Sequence, residues 1–131
     1  MSKFVDEGEN RIANIILGAT PVDSTLYLGL YKNTSEPSED AVLTDLVEQS
    51  GEGYTRIALS RGSWSIVADT SSYAEQTFTN VGDNWGTIYG YFISTTADNT
   101  GKLLCVEDFS DGPYSVANGD SIKITPSIVV S

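Results

Sequence analysis

Histidine is absent from the 131-residue chain, and cysteine occurs once. Without histidine there is no Ser-His-Asp or Cys-His catalysis and no imidazole metal ligand. A single cysteine excludes an internal disulfide. Cys105 sits in Leu103-Leu104-Cys105-Val106, where a small buried hydrophobe is expected. A reactive thiol needs an electropositive setting, and Glu107 and Asp108 follow directly. Basic residues are also scarce, 7 against 18 acids, for a net charge of −11. That balance argues against nucleic acid and anionic membrane as partners, since both need a basic surface. No apolar run follows a basic segment at the start, and no stretch approaches a membrane span, so synthesis in the cytoplasm is expected. No phosphate-cradling glycine motif is present.

The remaining composition suits a folded β-rich domain: 40% hydrophobic, 19% charged, 12 glycines. The length fits one domain covering residues 1–131. Residues 4–17 carry apolar positions near helical spacing (Phe4, Val5, Ile12, Ile15, Ile16), with acids early and Gly18 as terminator, so an N-terminal helical segment is expected within 1–18. Gly8 reads as a weak point in its first turn. Thr25–Tyr31 alternates as a central strand, with Leu26, Leu28 and Leu30 on one face and Tyr27 and Tyr31 on the other. Residues 33–52 form a long acidic excursion, with a short helical turn expected after Ser38 and an outward course that could reach a neighbouring subunit. Further strands are expected at Tyr54–Leu59, Trp64–Val67, Glu75–Thr79, Trp85–Ile93, Leu103–Val106 and Ser121–Val130. Thr70-Ser71-Ser72 reads as a turn, and Pro126 marks an edge, bulge or bend. Seven to eight short strands with Gly/Asn/Asp turns indicate an all-β, antiparallel sandwich or jelly-roll-like fold with a short N-terminal helix.

Chemistry is sparse. A glycosidase pair needs two carboxylates about 5–9 Å apart, and most acids here neighbour Gly, Ser or Pro in predicted loops. Asp98-Asn99-Thr100-Gly101 and Asp108-Phe109-Ser110-Asp111-Gly112 lack EF-hand ligand spacing and read as Asx turns. No catalytic residue, cofactor or metal is expected, and the chain is not expected to be an enzyme. Interaction candidates are the apolar stripe of the N-terminal segment (Phe4, Ile12, Ile15), the apolar residues of the acidic loop (Leu43, Leu46), and five tyrosines expected at the surface: Tyr27, Tyr31, Tyr54, Tyr73 and Tyr114. Trp85 is expected to plug one end of the core, with Gly86 and Gly90 letting its strand bend.

The chain has no internal repeat, but several short motifs follow one another in order. They are Gly51-Glu-Gly-Tyr54-Thr-Arg56, Trp85-Gly-Thr-Ile88, Gly90-Tyr-Phe-Ile93, Thr100-Gly-Lys-Leu-Leu104 and Val116-Ala-Asn-Gly-Asp-Ser-Ile122. Together they resemble small virion proteins of tailed bacteriophages, the head-decoration or tail-fibre-like group. The resemblance spans roughly residues 10–130; the acidic 33–52 loop is longer than the group's pattern. It implies a structural role in the virion, with the major capsid protein or other virion proteins as partners. The leading expectation is a capsid decoration (cement) protein, homo-oligomeric with a trimer favoured, stabilising the shell by binding only its assembled form. The alternative is a tail-fibre or receptor-binding module that recognises a host-surface glycan.

Overall fold

The structure is a computed structural model that describes residues 2–129. Met1, Val130 (read from sequence into the last strand) and Ser131 lie outside the described residues. In chain order the elements are β1 (Lys3–Phe4), α1 (Asp6–Ile16), β2 (Thr25–Tyr31), β3 (Ile57–Ser60), β4 (Ser65–Val67), β5 (Thr70–Ser72), β6 (Gln76–Thr79), β7 (Thr87–Ile88), β8 (Gly90–Ser94), β9 (Leu103–Asp108), β10 (Tyr114–Ser115), β11 (Ser121–Ile124) and β12 (Ser127–Val129). Short 3₁₀ turns occupy Leu43–Asp45 and Arg61–Ser63. All strand pairs are antiparallel. The main sheet runs β1-β9-β8-β2-β3, and three smaller sheets run β10-β7, β11-β6 and β12-β5-β4. The fold is thus mostly β with one short helix, as the strand count implied. These pairings do not by themselves amount to jelly-roll wiring.

The register places Leu28, Ile93, Cys105 and Phe4 in one row across the main sheet. Because strand side chains alternate, this row and the flanking Leu30–Tyr91 pair share a face. Phe78, Trp85, Ile88, Val116, Ile122 and Ile124 from the smaller sheets and their connections pack onto that face to form the larger core. Residues from the opposite face (Tyr31, Phe92, Leu103, Val106) form a second core with Val5, Ala41 and Leu43. The acidic excursion is therefore the cover of the second face. Its return leg pairs with the end of β2: Lys32 N–H donates to Val47 O, Gln49 N–H donates to Leu30 O, and Tyr31 bridges Glu48. The outward reach expected for this loop gives way to inward packing, since Leu43 is only 3% exposed.

Three local expectations change. The helix begins at Asp6 because residues 3 and 4 pair with Val106 and Cys105, and Val5 N–H donates to Leu104 O. Gly8 is buried against β9, where an added Cβ would lie 2.2 Å from the Leu104 carbonyl oxygen. It is a close-approach site, not a weak turn. Thr70–Ser72 is the central strand of its sheet; the turn is Ala68-Asp69, with Ala68 at φ 57°. Polarity suggested a turn there, but pairing on both sides settles a strand.

The Trp85–Ile93 stretch is not one strand. Gly86 adopts φ 79°, Thr87–Ile88 pairs with β10, and the chain switches sheets at Tyr89, whose N–H donates to Tyr31 O. Trp85 is 2% exposed, and its Nε1–H donates to Glu52 O. As expected, it is a core plug. Pro126 falls at the bend between β11 and β12.

Candidate functional site

Helix α1 lies on β9, clasped by two side chains. The Glu7 carboxylate accepts from Leu103 N–H at 2.8 Å, and Arg11 grips Asp23 with two bonds of 3.1 and 2.6 Å. The arginine pKa is raised, mainly by its hydrogen bond to Asp23. The helix and the β12-β5-β4 sheet do not close on each other. Between them runs an open groove of about 630 Å³. Its wall is almost entirely apolar, with Phe4, Ile12, Ile15, Leu26, Trp64 and Ile66 prominent among the side chains. Leu26, Trp64 and Ile128 also touch the larger core, so the groove is an end of that core left uncovered. Val22 and Ile66 on the wall are 52% and 71% exposed, and Ile16 and Leu17 at the end of the helix are 76% and 82% exposed. Exposed aliphatics gathered in one region mark an interaction surface more often than scattered ones do.

A second groove, of about 570 Å³, lies across the molecule's outer strands. It is polar, with Glu107, Asp111, Asp120 and Lys123 on its wall and an aromatic run from Tyr91 through Phe109 to Tyr114. Ring centroids in that run are 6.4 and 5.1 Å apart. Tyr114 donates its hydroxyl to Asp111 at 2.6 Å, which raises the phenol pKa. Burial raises the Tyr91 phenol to about 12.

The sequence candidates divide between these surfaces and the interior. Phe4, Ile12 and Ile15 come together on the apolar groove, and Tyr114 sits on the polar one. Tyr73 is half-buried beside the apolar groove, edge-on to Trp64 at 5.2 Å, with its hydroxyl accepting from Ser60 N–H. Tyr27 is half-buried on the second face of the main sheet. Four candidates serve the chain's own packing. Tyr31 is fully buried and donates to Asp108; Leu43 is buried; Leu46 packs on the second core. Tyr54 lies on the larger core, stacked on Phe78 at 5.6 Å, with its hydroxyl donating to Glu48 and accepting from Leu30 N–H. Burial, reinforced by the carboxylate partner, raises both the Tyr31 and Tyr54 phenols far above their ordinary range. The surface position expected for Tyr31, Leu43 and Tyr54 is thereby corrected: β2 is covered on both faces.

Val22, Arg61, Trp64 and Ile66 were missed as groove residues. One signal was available. Ile66 and Val67 are adjacent in a three-residue strand, and neighbours in a strand point to opposite faces. Both cannot enter one core.

The motifs that stand in order along the chain are internal scaffolding. Glu52 receives Trp85 Nε1–H, Val81 N–H and, on its carboxylate, Asp83 N–H. Arg56 is the hub of the opposite side, its side chain 3% exposed. It holds Glu48 with two 2.8 Å bonds, donates to the carbonyls of Thr96 and Asp98, and lies 4.9 Å over the Phe92 ring. In the adjoining turn the Asp98 carboxylate accepts from Thr100 N–H and hydroxyl, the Asx arrangement its sequence indicated. Scaffolding of this kind is what a whole-chain family pattern records. The family model described as podophage GP4 fiber I protein gp80 matches residues 3–130.

The chain belongs to this fibre family. No curated protein matches it closely enough to count as a relative. Membership in the GP4 fibre I family makes the chain a structural component of a tailed-phage virion, a setting in which its neighbours are other virion proteins. The match runs through α1, the acidic cover and the outer sheet alike, so both grooves lie within the family's own extent.

Proposed function

We propose that the chain is a non-enzymatic building element of a phage fibre, seated on a neighbouring virion protein through the apolar groove between α1 and the β12-β5-β4 sheet. The carrying observation is the groove itself: a core end left open, flanked by aliphatics more than half exposed. Covering it removes apolar surface from water at about 25 cal/mol per Å², and only an assembled neighbour supplies that cover. The fibre assignment of the family favours this seat over the head-surface cement role suggested by the sequence, which would need the same groove to face the capsid. Gold-labelling of the chain on intact particles separates the two. Label on fibres is expected; label spread over the capsid would overturn the fibre seat. Ile12→Asp and Ile15→Asp should each keep the fold and reduce the chain's copy number per particle; full incorporation of both would remove the groove from the account.

The polar groove favours a second reading, in which the same element also touches a host-surface glycan. Its aromatic run beside Asp111 and Lys123 offers the apolar face and hydrogen-bonding groups that sugar binding uses. Binding on a glycan array that disappears in Tyr114→Ala would support it, and an array with no binding would end it.

A further inference from the structure

β4 is an open sheet edge. It pairs with β5 on one side, and no described strand pairs with it on the other. All three residues are exposed, Ile66 at 71% and Val67 at 72%. Natural edge strands are usually blocked by a charge, a proline or a bulge, and Ser65-Ile66-Val67 has none of these. The register pairs Val67 with Thr70 across the two-residue turn Ala68-Asp69. In such a hairpin the pair beside the turn exchanges both its hydrogen bonds, and the next pair exchanges none. Ile66 therefore directs its N–H and C=O to the open side, while its side chain lies on the apolar groove.

The charges flanking this edge are self-complementary. Arg61 lies before it, exposed and in no ion pair among the described residues. Asp69 lies after it, at the exposed tip of the turn, its carboxylate engaged among the described residues by the neighbouring Thr70 hydroxyl at 3.3 Å. Antiparallel pairing of β4 with a second β4 about Ile66 makes partner positions sum to twice 66. Beyond the strand ends, this register brings the turn that carries Asp69 of one copy toward the 3₁₀ turn Arg61–Ser63 of the other, where the long Arg61 side chain can reach it. By the two-fold symmetry the same contact forms twice. The groove wall does not share the chain's net charge of −11: Arg11 and Arg61 against Asp23 leave +1 there, so the acidic excess lies elsewhere.

We propose that two copies of the chain pair through their β4 edges, joining two β12-β5-β4 sheets into one six-stranded sheet with Arg61 of each copy facing Asp69 of the other. Ile66 exchanges backbone hydrogen bonds with its own counterpart, as an isologous contact requires. The two apolar grooves come to lie side by side on one face. The pairing does not depend on what seats in those grooves.

Sedimentation equilibrium of the purified full chain, to about 0.5 mM, reads the association even where it is in the millimolar range. A monomer–dimer equilibrium is expected. Ile66→Pro removes an N–H that faces the open side, a position where edge strands tolerate proline, and trims an exposed side chain on the groove wall. It should leave the thermal melt near that of the parent and leave the chain monomeric. Should Ile66→Pro fail to fold, the charge variants decide. Arg61→Asp and Asp69→Arg should each weaken the dimer about tenfold or more, and the double variant should recover most of the loss. Persistent monomer, a trimer, or a dimer that ignores the charge reversals would each overturn the proposal. So would an Ile66→Pro chain that folds and still dimerises.

Discussion

The two ends of the main sheet's apolar surface are finished differently. On one face the chain covers itself: the acidic segment folds back, buries Ala41 and Leu43, and is locked by Glu48 to Arg56. At the other, between α1 and β4, nothing among the described residues completes the core and Ile66 stays in solvent, as do Ile16 and Leu17 at the end of the helix. A partly buried ion pair marks the covered side, whereas the open one is walled mainly by aliphatics, with Arg11, Asp23 and Arg61 among them. The acidic loop attracts attention in the sequence because it is unusual, yet its work is internal. The open groove is built from ordinary aliphatics, and it is where an external partner has something to bury.

Substitutions should separate the two regions sharply. Arg56→Ala strands a partly buried Glu48 and removes donors from two backbone carbonyls. It should cost about 3–5 kcal/mol in urea unfolding, and Arg56→Lys should recover only part, because an ammonium cannot reproduce the two-pronged grip. Leu43→Ala on the covered face should cost about 2–5 kcal/mol. If the loop instead left the sheet, the same change would be nearly silent. Gly8→Ala is the next test. In an open helix it would gain about 1 kcal/mol; against the Leu104 carbonyl it should lose about 1–3 kcal/mol. On the open side, Leu17→Thr and Ile66→Thr should change stability by about 0.5 kcal/mol or less. A large loss there would mean that the groove is closed in solution by the chain itself.

How much of this was legible in the sequence follows from the range of each signal. Alternation in Thr25–Tyr31 and the turn at Asp98–Gly101 are local, and both appear where their spacing put them. The plug role of Trp85 follows from one large apolar residue beside a turn. What stayed hidden depends on pairing across the chain. Nothing near Thr70-Ser71-Ser72 announces two flanking strands, and nothing near Tyr31 says that a loop more than ten residues away covers its face. The groove shows the same limit in part. Phe4, Ile12 and Ile15 were visible as a stripe, whereas Val22, Arg61 and Ile66 join them only when the outer sheet swings beneath the helix.

The lone thiol has a use that follows from its place in β9. Cys105 is fully enclosed, flanked by β1 and β8, and its pKa is pushed up to about 12 by burial, with Glu107 adding to the shift. In the unfolded chain it ionises near its ordinary value of 9.0. Its contribution to stability is therefore complete below about pH 9 and is lost as the pH rises toward about 12. Within the neutral range, no reagent reaches the sulfur until the main sheet separates. The rate of thiol modification is thus a clock for sheet opening, carried by the native chain and needing no introduced label. If the covered face governs global opening, Leu43→Ala should speed that clock and Ile66→Thr should leave it unchanged.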